Sequence, residues 1–128
     1  MHGRVLIVDD DEACLSGMKQ LVEMAGHEAV AVGTFEEARR ALRHGAPDML
    51  IADVRLGSFN GLQLIATSAL NIPVIVISGF DDVVLQAEAR AMGAEYLVKP
   101  VSPATLIERI EQRLAESRLP APPERPVI

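Results

Sequence analysis

Short, almost unbroken apolar runs alternate along this chain with stretches whose apolar residues recur at helical spacing. The clearest runs are RVLIV at residues 4–8, MLIA at 49–52 and PVIVI at 73–77, with a shorter YLV at 96–98. Apolar residues that do not alternate with polar ones predict strands buried on both faces, as in a parallel sheet. EAVAV at 28–32 carries a weaker pattern and belongs nearer a sheet edge. In the first intervening stretch Cys14, Met18, Leu21, Val22 and Ala25 share one helical stripe, and Gly26 can stop it. The second opens on Thr34 with Glu37 three residues later, a capping-box pattern, and ends at Gly45. A third helix is predicted from about Leu62 to Ala69, and a fourth from about Asp82 to Met92, closing on Gly93. In the fifth, Ser102 can cap, Pro103 suits the first helical position, and Leu106, Ile107, Ile110 and Leu114 line one face. Five strand–helix units in succession predict an α/β protein, a doubly wound parallel sheet with helices on both faces. The proline-rich LPAPPERPVI, after Ser117, has no periodicity. The expected organisation is a domain over 1–117 and a flexible tail or linker start over 118–128.

Composition narrows the function classes. At 128 residues the chain is long enough to bury a core without a metal or disulfide staple. The formal net charge of −6 and the absence of Trp argue against a nucleic-acid-binding surface, which needs a basic face or stacking platforms. The single cysteine, Cys14, excludes an internal disulfide framework and points to a reducing, cytoplasmic setting. No stretch approaches the ~18 apolar residues of a membrane span, so no membrane association is expected.

In an open parallel sheet ligands bind beyond the carboxyl ends of the strands, so the residue types found there matter most. The first run is followed by Asp9, Asp10 and Asp11, the third by Asp53, the fourth by Ser78 and Gly79, and the fifth by Lys99 and Pro100. Carboxylates brought together resist ionising unless a cation sits among them, and oxygen ligands select a hard ion such as Mg²⁺. A carboxylate can attack phosphorus to give an aspartyl phosphate, a transfer that needs neutralised phosphoryl charge more than acid–base chemistry. Lys99, one of only two lysines in the chain, could supply a point charge and Ser78 a hydroxyl donor.

With these residues in place the chain resembles the receiver domains of bacterial response regulators over about residues 3–117. The matching motifs are VLIVDD at Val5 to Asp10, IAD at Ile51 to Asp53, NG at Asn60 and Gly61, VISG at Val76 to Gly79, and YLVKP at Tyr96 to Pro100. The resemblance implies a flavodoxin-like fold, a (βα)5 sheet of strand order 2-1-3-4-5. It implies a phosphorylation-dependent switch of a two-component system that takes a phosphoryl group from a sensor histidine kinase or phosphotransfer protein. Asp53 would be the phosphoacceptor. Asp9, Asp10 and Asp53, with the backbone carbonyl of Arg55, would bind Mg²⁺ (or Mn²⁺). Ser78 and Lys99 would bind the phosphoryl group, and Tyr96 would change rotamer on activation. A cis Lys99–Pro100 bond is also implied. Catalysis would be confined to the domain's own phosphorylation and dephosphorylation, with output through an attached domain or a homodimer formed by the fourth and fifth helices. The acceptor loop departs from the family pattern: Leu56 is followed by Gly57, where the family carries Pro, which loosens the backbone.

Other readings of the same residues compete. A phosphohydrolase with an aspartate nucleophile would need a second acid two residues on, where Arg55 stands, and a cap insertion for which there is no room. A phosphorylation-independent interaction module on this fold would not need the full acid–Ser–Lys set. Asp11 reads as a helix cap, Cys14 as a small core residue, and a half-buried strand tyrosine with no switch role is the alternative for Tyr96. His2, His27 and His44 lack ligand spacing, and the charges from Glu108 to Arg113 read as a solvated helix face.

Overall fold

The computed structural model of the chain describes residues 2–56, 59–68 and 71–117. The tail over 118–128 and the departure at Gly57 lie outside the described residues. Five strands, β1 (Arg4–Val8), β2 (Glu28–Val32), β3 (Met49–Asp53), β4 (Val74–Ser78) and β5 (Glu95–Val98), form one parallel sheet of order β2-β1-β3-β4-β5. Between and after them come α1 (Glu12–Met24), α2 (Phe35–His44), α3 (Gly61–Ser68), α4 (Val83–Ala91) and α5 (Pro103–Ser117). This is the 2-1-3-4-5 doubly wound fold.

The burial pattern follows directly from that order. β3 and β4 are buried along their full length, and β1 is buried at all but Arg4. β2 and β5, at the two edges, have no buried residue, which is why EAVAV reads weakly in sequence. Side chains alternate across the sheet. Leu6, Val8, Leu50 and Ala52 face a core closed by Phe35 and Ala38 of α2, Leu62, Leu64 and Ile65 of α3, and Ala89 of α4. Val5, Ile7, Met49 and Ile51 face the opposite core, closed by Val22 of α1 and Leu106, Ile110 and Leu114 of α5. Each fully buried aliphatic side chain of this size contributes about 1.5–3 kcal/mol.

The helix starts behave as their capping residues require. The Asp11 carboxylate accepts from the backbone N–H of Ala13 and Cys14, Thr34 Oγ1 from Glu37, Asp82 from Val84 and Leu85, and Ser102 Oγ from Thr105. Gly26 and Gly93, just past α1 and α4, carry φ of 94° and 80°, the left-handed geometry expected of helix stops. α2 ends differently: Gly45 stays right-handed and the positive φ falls on Ala46, at 45°. The Lys99–Pro100 bond is cis.

Three sequence expectations need correction. Cys14 belongs to neither core. It sits in the first turn of α1, above the sheet's carboxyl edge, and is half-buried with its sulfur 4.0 Å from Lys99 Nζ. The polar side of α5 is not simply solvated. Arg109 grips both carboxylate oxygens of Glu95 on β5 at 2.5 and 2.7 Å, and Glu111 lies 2.5 Å from the ring of the buried His27. The region after Asp53, read as plain loop, holds a two-residue antiparallel ladder, Arg55–Leu56 against Phe59–Asn60.

Gly61 opens α3 directly beneath β3. Its N–H donates to the carbonyl of Val54 at 2.7 Å, and a Cβ added here would lie 2.4 Å from the carbonyl oxygen of Asp53. No side chain fits without moving the backbone that carries Asp53. Gly61→Ala is therefore expected to lower unfolding stability in urea by about 1–3 kcal/mol, the usual cost of overpacking. An unchanged midpoint would show that α3 is not seated this closely.

Candidate functional site

The carboxyl ends of β1, β3, β4 and β5 meet in one cleft of about 230 Å³ lined by Asp9, Asp10, Asp11, Asp53, Ser78, Gly79, Phe80 and Lys99. Parallel pairing sets this convergence. Asp53 ends β3 opposite Ile77, Ser78 ends β4 opposite Val98, and the N–H of Lys99 donates to the Ser78 carbonyl at 2.7 Å. β1, β3 and β4 remain buried to their last residues, so the polar groups they deliver are buried too. Asp9 is 1% exposed, Asp53 8% and Ser78 1%.

Lys99 balances the acids. Its Nζ donates to Asp53 Oδ2 at 2.5 Å and to Asp9 Oδ2 at 3.5 Å. Asp9 Oδ1 accepts the N–H of Asp11 at 2.9 Å. Burial pushes the Asp9 carboxyl above its ordinary value; the Asp11 bond works against this, the Asp53 charge adds to it, and Lys99 opposes it. Burial by itself would lower the Lys99 ammonium, but the hydrogen bond and charge of Asp53, aided by Asp9, hold it above the usual lysine value. Asp10 differs from Asp9 in being exposed at the cleft's rim.

Ser78 Oγ accepts the N–H of Phe80 at 3.0 Å, which leaves its own proton free to be donated. Tyr96 does not line the cleft. It is half-buried against the α2–α3–α4 core, and its hydroxyl donates to the Phe80 carbonyl at 2.7 Å, so it touches the loop that carries Ser78. Arg55 lies two residues beyond Asp53 in the short ladder, paired with Asn60. The cleft thus gathers Asp9, Asp10, Asp53, Ser78 and Lys99 but leaves Tyr96 one residue-contact away. Phe80, which joins Ser78 to Tyr96 through its backbone, was not singled out in sequence because an exposed loop Phe has no chemical signature there.

The sequence profile of the response regulator receiver domain matches residues 5–111. The chain belongs to that family. Among its relatives, the alkaline phosphatase synthesis transcriptional regulatory protein PhoP of Bacillus subtilis is 25% identical over 126 residues, covering 95% of this chain and 52% of that protein. The response regulator protein FleR of Pseudomonas aeruginosa is 34% identical over 128 residues, covering 97% of this chain and 27% of that one. The receiver domain thus spans about half the length of these relatives, or less. A CheY-like receiver domain protein from Methanospirillum hungatei superposes with a TM-score of 0.85 at 28% identity, covering 91% of this chain and 97% of the other.

Receiver domains generally depend on Mg²⁺ for phosphorylation. The donor chemistry of this cleft fits such an ion, since four carboxylates line it and two of them, those of Asp9 and Asp53, are buried. The side chains as placed do not form a ligand set: among the described residues no three His, Cys, Asp or Glu groups converge to hold a metal. Lys99 takes the position of counter-charge between Asp9 and Asp53. No helix among the described residues is long and apolar enough to cross a membrane.

The raised Asp9 carboxyl has a consequence for metal-free stability. Its value in the folded state lies above the unfolded value of 3.8, so ionising it costs more when folded. That cost is absent at pH below the unfolded value and is present once pH has risen through the folded value. Asp9→Asn, which keeps an oxygen for the Asp11 N–H, is expected to raise the urea midpoint at neutral pH without divalent metal, and the gain should vanish near pH 3. A loss of stability at neutral pH would show that ionised Asp9 is a net stabilising partner of Lys99.

Proposed function

We propose that this receiver domain accepts a phosphoryl group on Asp53 and works as a phosphorylation-dependent switch in a two-component system. The observation that supports this best is the buried Asp53 carboxylate held 2.5 Å from Lys99 Nζ in an otherwise acidic cleft. An Asp53 oxygen attacks phosphorus of a phosphohistidine on a sensor kinase or phosphotransfer protein. The P–O bond forms, the P–N bond breaks, and the donor imidazole leaves with its electron pair and takes up a proton. Lys99 supplies positive charge to the phosphoryl oxygens, and the free proton of Ser78 Oγ is donated to one of them.

Asp9, Asp10 and Asp53, with the Arg55 carbonyl, are the residues proposed to hold Mg²⁺ (or Mn²⁺). When bound, the ion neutralises phosphoryl charge. Asp10 is already at the rim, while Asp9 and Asp53 must share their oxygens between Lys99 and the ion, so metal binding requires side-chain rearrangement from the arrangement described. The catalysis is limited to the domain's own phosphorylation and dephosphorylation.

The signal is proposed to leave through Phe80. A Ser78 drawn toward a phosphoryl group pulls on a loop whose carbonyl Tyr96 holds, and Tyr96 turns inward. The α4 side carries exposed apolar residues suited to an output domain or a second copy: Val83 is 77% exposed, Val84 65% and Phe80 47%. Residues 1–117 are assigned to the receiver and 118–128 to a tail or linker start, in a cytoplasmic protein.

Phosphorylation with isotope-labelled acetyl phosphate tests this reading. The unaltered chain is expected to take up label only with Mg²⁺, Asp53→Asn to take up none, and Lys99→Ala to be slowed by about a hundredfold or more, the loss typical of removing one preorganised donor. Labelling of Asp53→Asn at the unaltered rate would sink the assignment.

A further inference from the structure

A small cavity between the ends of α2 and α3 holds charge that the phosphoryl site does not use. Its volume is about 190 Å³, and it is lined by Arg39, Leu42 and Arg43 of α2 and by Thr67 and Ser68 of α3. It shares no residue with the phosphoryl cleft, and no acid is among the residues that line it. Arg39 and Arg43 stand four residues apart, so they lie on one face of α2. Among the described residues neither meets a carboxylate, whereas Arg4, Lys99, Arg109 and Arg113 each do. The ring of the buried Phe35, 6.0 Å from the Arg39 guanidinium, backs that side chain.

Helix ends account for part of this charge. α2 and α3 both finish at the cavity, and each carboxyl end carries about half a negative charge, so together they offset roughly one of the two guanidinium charges. Arg43 lies in the last turn of α2, where a cation is expected; Arg39 lies before it. About one positive charge is left facing a polar recess.

Size and donor geometry select the occupant. A pocket for a whole small-molecule ligand has about 300 Å³ or more, so this one takes a single small group. The Thr67 hydroxyl donates to the carbonyl of Gln63 at 2.7 Å, so the hydroxyl donor left for a ligand is that of Ser68. Two guanidinium forks from one helix and a hydroxyl from the other make three donor groups around one recess. A carboxylate has two oxygens and is satisfied by one fork; a phosphate group presents three and carries about −1.5 to −2 charge. A nucleic-acid strand would need a row of cations along a groove, in a chain whose net charge is −6.

We propose that the cavity between the ends of α2 and α3 binds a phosphate dianion, free or as a small monoester, through Arg39, Arg43 and Ser68. The full chain, free of divalent metal, is titrated with inorganic phosphate and with methyl phosphate at constant ionic strength while backbone amide shifts are followed. Saturable shifts are expected on the second half of α2 and the end of α3, with those of Asp9, Asp53 and Lys99 unmoved. Arg39→Gln with Arg43→Gln should weaken binding about tenfold or more, the worth of at least one charge-assisted hydrogen bond. Arg39→Lys with Arg43→Lys, which keeps the charges but not the forks, should lose part of that. Arg40→Gln removes the same charge from the same helix but lines a different groove, and should leave binding nearly unchanged. Thermal melts of each variant confirm that it folds.

Shifts that grow without saturating, a loss with Arg40→Gln equal to that of the pair, or shifts centred on Asp53 would overturn the proposal. Acetate bound as tightly as phosphate would replace it with a carboxylate site. Binding of both probes supports a site for phosphate monoesters as a class, and binding of inorganic phosphate alone supports a site for the free ion.

Discussion

The site depends on one ammonium group shared by two carboxylates that the sheet has removed from water. A strand buried on both faces cannot deliver an acid to its carboxyl end without desolvating it, and β1 and β3 each do so, with Asp9 and Asp53. Two such charges side by side are unfavourable without a cation between them. Lys99 reaches both, and its own backbone N–H is tied to Ser78 at the end of β4. The four strand ends are thereby linked by charge as well as by ladder hydrogen bonds. A group of phosphoryl chemistry placed on Asp53 must change the share of Lys99 that each carboxylate receives. That makes the cleft responsive rather than merely polar.

Most of the fold was legible because its causes are local. Unbroken apolar runs mark doubly buried strands, and Thr34, Asp82 and Ser102 mark helix starts, where each caps as its side chain allows. The strand order was not read from periodicity. It came from the family resemblance, and the pairing register agrees with it. The convergence of Asp9, Asp53, Ser78 and Lys99 was legible because a parallel sheet puts all its carboxyl ends on one edge.

What escaped the sequence depends on distance rather than pattern. Cys14 shares a helical stripe with Met18 and Val22, yet it lies in the first turn of α1, above the sheet edge, so the stripe position does not bury it. The pairing of Arg109 with Glu95 and the contact of Glu111 with His27 join residues far apart in the chain, and mixed charges on a helix do not announce such partners. Exposure separates Asp10 from Asp9, although the two are neighbours of one type. The chain turns out of the sheet between them.

The sharing of Lys99 can be observed directly, because the chain has only one other lysine, Lys19, which is exposed on α1. Lysine-selective ¹⁵N labelling therefore yields two side-chain nitrogen signals, one from the site and one from a solvated reference. The account predicts that the Lys99 Nζ signal is protected from exchange at neutral pH and titrates above the ordinary lysine value. It further predicts that the Lys99 signal moves, and the Lys19 signal does not, when the protein is treated with acetyl phosphate and Mg²⁺. Two signals with the same exchange and no response to the phosphoryl donor would contradict it.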